Sequence, residues 1–180
     1  MDIPEVYASQ GEIRIKNYAS AVNPTDIVSR SGLIAQFRKD YPLPAVPGMD
    51  ISGIVDQVGE GVETGVSIGD QVMGMVIPNA LHGAYSEQIT LNQFAVVKAP
   101  KGFSFVESAT LPMNGLTARL SLDLLNLTKG QVVAVTGGPG AYGGYVIQLA
   151  KADGLIVIAD SNESDICLLY TSDAADECDS

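Results

Sequence analysis

The pattern of apolar and polar positions changes character once along the chain. Residues Glu12-Ile13-Arg14-Ile15-Lys16 alternate polar and apolar with period two, which predicts a strand with one wet face. Further short strands are predicted over 51–58, 71–76, 86–91 and 94–98. They are separated by Pro47-Gly48, Gly59-Glu60-Gly61 and Gly69-Asp70, all turn chemistry. Near residue 103 the period lengthens. Ser104-Phe105-Val106-Glu107 has the spacing of a capping box, and a helix is predicted from Asn114 to about Leu125 with Pro112 just ahead of it. The apolar run 131–135 predicts a parallel strand buried on both faces. A glycine-rich turn follows it, then a helix with Val146, Leu149 and Ala150 on one side, then a second buried strand over 155–159. Many short strands followed by one β-α-β unit predict a β-barrel domain followed by an α/β nucleotide-binding domain. The boundaries are 1–103 for the barrel, 104–160 for the start of the second domain and 161–180 for a tail. No internal repeat is visible.

Gly138-Pro139-Gly140-Ala141-Tyr142-Gly143 has the G-x-G-x-x-G spacing between an apolar strand and a helix. Glycines at such a turn allow tight chain reversal, close approach of backbone to a pyrophosphate, and contact between helix and strand. The helix start adds free N–H groups and a positive dipole end. The alternative is a glycine turn that binds nothing; the flanking elements argue against it. Asp160 ends the second strand, 17 residues after Gly143. A carboxylate there can accept from ribose hydroxyls and repels a 2′-phosphate, which on its own favours NAD over NADP; it can equally be a solvated turn residue.

Composition refines this picture. Of 180 residues, 46% are hydrophobic and 17% charged, which excludes a chain too polar to form a core. The formal charge of −11 opposes phosphate-driven nucleic-acid binding, but it is unevenly spread. Residues 1–159 hold 14 acids and 10 bases, net −4, and seven acids with no base follow from Asp160. No apolar run reaches the ~18 residues of a membrane span, and the start is neither basic nor apolar enough for a secretory signal. The two cysteines, Cys167 and Cys178, make no disulfide framework. The expected location is the cytoplasm, with neither nucleic-acid nor membrane partners.

Several motifs in order resemble the medium-chain dehydrogenase/reductase superfamily, in its zinc-free quinone oxidoreductase branch. They are Asn23-Pro24-Thr25-Asp26 with Arg30-Ser31-Gly32; Pro47-Gly48-Met49-Asp50 with Gly53; Val58-Gly59; Gly69-Asp70-Gln71-Val72; Gly83-Ala84-Tyr85-Ser86-Glu87; and Leu111-Pro112 with Gly115-Leu116-Thr117-Ala118. Gly137, Gly140 and Gly143 fall on the coenzyme turn of that family. The ordered set covers about residues 11–160. The resemblance implies a GroES-like β-barrel followed by an incomplete Rossmann domain. It also implies hydride transfer from NADPH, with NADH possible, to a quinone or an activated alkene or carbonyl, and a homodimeric full-length protein. A coenzyme-binding structural or trafficking protein of the same fold is the alternative. A barrel-only binding module is argued against by the β-α-β unit.

Zinc-dependent members carry a Cys near the position of Asn23 and G-H-E where this chain has Gly48-Met49-Asp50. With no Cys before Cys167 and His82 as the only histidine, the three ligands of a catalytic zinc are not expected. By motif match, Asn23 faces the nicotinamide and Thr117 lies near the coenzyme. Gly137, Gly138, Gly140, Ala141, Tyr142, Gly143 and Asp160 complete the expected coenzyme-binding set, with Tyr142 only shaping the pocket. Asp26 and Asp50 are expected to hold loops, and no catalytic acid is named. Relatives run to about twice this length, so the opening strand, the rest of the Rossmann sheet and the segment returning to the barrel are expected to lie outside the chain. Residues 167–177 resemble the in-frame translation of a sequencing-library adapter, in which case neither cysteine carries function.

Overall fold

The structure, a computed structural model, describes residues 3–38 and 43–165. The tail from Cys167 that resembles an adapter translation lies outside them. The chain divides into two compact units at 113/114.

The first unit is built on a five-stranded antiparallel sheet in the order β4-β1-β2-β3-β5. Its strands are β1 (Glu12–Ala19), β2 (Asp50–Val58), β3 (Gln71–Met75), β4 (Gln88–Asn92) and β5 (Val96–Lys98). The period-two alternation places Ile13, Ile15, Ile51, Val55, Val72, Ile89 and Leu91 in a common core. The predicted strand over 94–98 is shorter than expected. The Asn92 side chain accepts the Phe94 N–H at 3.0 Å and winds Gln93–Ala95 into a 3₁₀ turn before β5 begins. A short helix α1 (Pro24–Arg30) was not predicted, because seven residues are too few for apolar periodicity to register.

The capping box at Ser104 forms as expected. The Ser104 Oγ accepts the Glu107 N–H at 3.2 Å and the Glu107 carboxylate accepts the Ser104 N–H at 2.8 Å. It opens α2 (Phe105–Ala109), which packs on β1, β2 and β3, with Phe105 stacked on Tyr18 at 4.7 Å. This helix follows the change in residue pattern yet sits in the first unit, so the structural division falls ten residues beyond the boundary read from sequence.

Two backbones meet closely at Gly59, just after β2. A β-carbon there would lie 1.8 Å from the Ser9 carbonyl oxygen, while the Gly59 N–H donates to Glu12 at 2.9 Å. Gly59→Ala is expected to destabilise the first unit by about 2–3 kcal/mol, because the obstacle is backbone rather than a movable side chain. Urea unfolding checks this. Gly115→Ala, in a helix interior with nothing within 4 Å of the new methyl, is expected to stabilise by about 0.5–1 kcal/mol.

The second unit holds α3 (Pro112–Leu125, whose first two residues precede the division), β6 (Val132–Val135), α4 (Ala141–Ala152) and β7 (Ile156–Ala159). Pro112 is the first residue of α3, not a residue ahead of it, since the missing N–H would have no partner there anyway. β6 and β7 pair in parallel, Val132 opposite Ile156 through Val135 opposite Ala159. Among the described residues, one face of this pair is covered and the other is open. Val133 and Val135 pack with Ala118, Leu122, Val146 and Ile147 on the face covered by α3 and α4. Val132, Ile156 and Ile158 on the other face are 53–61% exposed. An unbroken apolar run cannot separate strands covered on one face from strands covered on two.

Candidate functional site

Two sites emerge, one in each unit. In the first, Asn23 precedes α1 and is 3% exposed. Its N–H donates to the Asp26 carboxylate at 2.8 Å, and its side-chain amide donates to Asp50 at 2.5 Å. Asp26 also accepts the Gly48 N–H at 3.1 Å and the Tyr85 hydroxyl at 3.1 Å. Asp50, at the start of β2 and 1% exposed, takes the Met113 N–H at 2.6 Å. Both carboxylates therefore tie loops together, as the sequence reading expected.

Burial pushes the Asp50 carboxyl above the usual carboxylate range, against the hydrogen bonds from Met113 and Asn23, and the nearby Asp26 charge adds to the rise. Tyr85 is pushed up to about 12, by burial first and then by the charge of Asp26 and the bond to it. Asn23 thus spends its amide on Asp50 inside a buried network. A cavity of about 660 Å³ lies between segments 3–6, 45–47 and 85–88 and meets the network only at Tyr85.

In the second unit, a cleft of about 490 Å³ opens at the carboxyl ends of β6 and β7, where open α/β sheets place their ligands. Gly137, Gly140 and Asp160 of the expected coenzyme set line it, together with Pro139, Ser161, Asn162 and Asp165. The last three escaped the sequence reading, although the rule that ligands sit beyond strand ends could have found them. Gly137 has φ +69, a left-handed conformation that favours glycine. Gly143 sits so close to the turn that a β-carbon would lie 2.3 Å from the Gly137 carbonyl oxygen and 2.9 Å from Gly138. Gly140 caps α4, so the N–H groups of Ala141, Tyr142 and Gly143 open the helix and lack intrahelical acceptors. Those N–H groups fit a pyrophosphate.

The other six expected residues are not among those lining the cleft: Gly138, Ala141, Tyr142 and Gly143 belong to the turn and the start of α4, and Thr117 and Asn23 stand apart from it. Tyr142 does not line the cleft; its hydroxyl donates to the Ser121 Oγ of α3 at 2.8 Å. Thr117 lies in the second turn of α3, because the helix begins at Pro112, and its carbonyl accepts the Ser121 hydroxyl at 2.8 Å. Asn23 belongs to the other unit. Asp160 is held in place, accepting the Gly137 N–H at 2.5 Å across 23 residues. Among the described residues, no three His, Cys, Asp or Glu side chains gather as a metal ion would require. No helix among them is long and apolar enough to cross a membrane.

Residues 9–117 match the alcohol dehydrogenase GroES-like domain family. The chain is 37% identical over 155 residues to a 2-methylene-furan-3-one reductase of Solanum lycopersicum, an alignment covering 83% of this chain and 38% of that protein. It is 34% identical over 155 residues to a chloroplastic NADPH-dependent alkenal/one oxidoreductase of Arabidopsis thaliana, covering 83% and 39%. Among solved structures, the quinone oxidoreductase of Coxiella burnetii superposes with a TM-score of 0.80 at 32% identity, over 96% of this chain and 54% of that one. The chain thus spans about two fifths of the length of these curated relatives. Its antiparallel sheet is the GroES-like part and its parallel β-α-β unit a partial Rossmann-like part. With the match extending over more than half its length, the chain belongs to the alcohol dehydrogenase GroES-like family of the medium-chain dehydrogenase/reductase superfamily.

Proposed function

We propose that this chain is the barrel and coenzyme-turn portion of an oxidoreductase that passes a hydride from a nicotinamide dinucleotide to a quinone or an activated alkene or carbonyl, without zinc. The observation that carries the reading is the coenzyme cleft. A left-handed glycine, an uncovered helix start and a strand-end carboxylate converge there, as a dinucleotide pyrophosphate and ribose require. NADPH, named for the Arabidopsis relative, and NADH share the groups that this turn can hold.

When bound, such a coenzyme supplies the hydride. The α4 N–H groups would hold its phosphates, Gly143 would keep the helix close to the turn, and Asp160 would offer an acceptor to ribose hydroxyls. Asn23 and Thr117 remain our candidates for contacts near the nicotinamide. The zinc-free reading rests on donor chemistry: Asp50, where zinc-dependent members carry Glu, is engaged by Asn23 and Met113, and the neighbouring position is Met49. Without a metal, the acceptor is either polarised by hydrogen-bond donors or already electrophilic, which favours quinones and conjugated carbonyls.

The test follows oxidation of NADH and NADPH with 1,2-naphthoquinone and with a short enal, using the protein that carries this sequence. Acceptor-dependent oxidation that survives a zinc chelator is expected. Coenzyme binding without turnover on either acceptor would replace this reading with the non-catalytic one, and inactivation by the chelator would remove the zinc-free part.

A further inference from the structure

The first turn of α4 carries the N–H groups that the coenzyme reading assigns to the phosphates, yet little in its own sequence holds it. Its N-cap is Gly140, which has no side chain to accept an N–H, and the turn contains no acid. The turn reads Ala141-Tyr142-Gly143-Gly144, and glycine is among the poorest helix formers. Later turns are fixed by burial, with Val146, Ile147 and Ala150 packed against Ala118 and Leu122 of α3. In the first turn the buried residues are Gly143 and Gly144, which have no side chain to pack.

Tyr142 is the one residue of that turn with a polar side-chain group, and it directs that group to α3. Its hydroxyl donates to the Ser121 Oγ at 2.8 Å, and the Ser121 hydroxyl donates in turn to the Thr117 carbonyl at 2.8 Å. The single Ser121 proton is thus committed within α3, which leaves its oxygen as the acceptor for Tyr142. Ser121 adjoins Leu122, which is 3% exposed, so the acceptor stands on an anchored part of α3.

We propose that Tyr142 is a positioning residue for the coenzyme phosphates. Its bond to Ser121 takes the place of the side-chain cap that Gly140 cannot supply, and so steadies the N–H groups of Ala141, Tyr142 and Gly143. The proposal rests on the coenzyme reading above, and it concerns a side chain that does not line the cleft. Without the bond, the first turn opens locally while the rest of the unit stays folded.

The experiment titrates the protein with NADH and with NADPH and reads the change in coenzyme fluorescence, so that binding is measured without turnover. Tyr142→Phe is expected to raise the Kd for both about threefold, as loss of one partly exposed hydrogen bond allows. The effect is the same for both because they share the pyrophosphate. Ser121→Ala should do likewise, and the double variant should be no worse than either, because both substitutions break one bond. Ser121→Thr keeps a hydroxyl that can bond the same carbonyl, and should retain the affinity. Hydrogen exchange gives a second reading. The Gly144 N–H, which donates to the Gly140 carbonyl at 2.9 Å, should exchange faster in Tyr142→Phe by at least the factor lost in affinity, while the amides of β6 and β7 keep their rates. Should Tyr142→Phe fail to fold, the two Ser121 variants decide. Unchanged Kd in both Tyr142→Phe and Ser121→Ala overturns the positioning role and leaves the coenzyme reading intact, as does a lower unfolding temperature with no change in Kd. Losses that add in the double variant overturn the tie between the two hydroxyls. Binding of neither nucleotide by the unsubstituted protein overturns the coenzyme reading itself, and the positioning role with it.

Discussion

Gly143→Val is expected to weaken coenzyme binding at least about 100-fold, equivalent to about 2.7 kcal/mol, and to lower the unfolding temperature of the second unit. The first atom of the new side chain would sit 2.3 Å from the Gly137 carbonyl oxygen and 2.9 Å from the Gly138 Cα. Both are backbone, so relief requires α4 to move off the turn and carry its N–H groups away from the phosphate position. Gly140→Ala is the matched comparison. Its φ of −69 suits any residue, and its β-carbon would lie 3.2 Å from the same carbonyl oxygen, a contact eased by a shift of a few tenths of an ångström. It is expected to cost less than about tenfold in affinity. Fluorescence titration with NADH, paired with thermal unfolding, separates the two. A Gly143→Val protein that binds and melts like the wild type would show that the close helix–turn contact does not hold the site together.

The second large effect concerns the buried carboxylate of the first unit. Asp50→Leu leaves the Asn23 amide and the Met113 N–H without the acceptors they have at 2.5 and 2.6 Å. The expected destabilisation is about 2 kcal/mol near neutral pH, measured by urea unfolding. Its pH dependence has a definite sign. The folded-state pKa of Asp50 is raised above its ordinary 3.8, chiefly by burial. The native state therefore holds this proton more tightly than the unfolded chain does. The stability that Asp50 contributes is fully present below 3.8 and is lost as pH rises through the folded value. The gap between wild type and Asp50→Leu should therefore be widest at the acid end, narrow as pH rises, and flatten above the folded pKa. A gap that widens toward neutral pH would mean that the Met113 and Asn23 bonds outweigh burial and hold the carboxylate charged.

Much of the fold was legible because it depends on neighbours in sequence. The alternation of Ile13 and Ile15 with charged residues predicts a strand with one wet face, and the Ser104–Glu107 box forms as its spacing implies. The glycine turn was legible because three glycines at fixed spacing between a strand and a helix have few other uses. The direction of the Tyr142 side chain was not legible. The motif says that a residue stands at that position but not which way it turns, and its hydroxyl goes to Ser121 on α3.

The acidic groups show where such reasoning stops. Asp50 reads in sequence as a loop-holding acid of the Pro47-Gly48-Met49-Asp50 turn, but its almost complete burial and its bond to Asn23, 27 residues away, are set by the tertiary structure. Asp160 reads as a strand-end acid. Only the parallel pairing of β6 with β7, which sets Val135 beside Ala159, brings it onto the Gly137 N–H.

The sequence by itself determined the period of each element, the turns that reverse the chain and the position of the glycine turn ahead of α4, since steric and hydrophobic preferences act over three to six residues. The tertiary structure decided which carboxylate is buried and which lines the cleft. Those outcomes depend on strand register and helix packing between residues tens of positions apart. Desolvation and charge–charge distance are set there, and no local pattern encodes them.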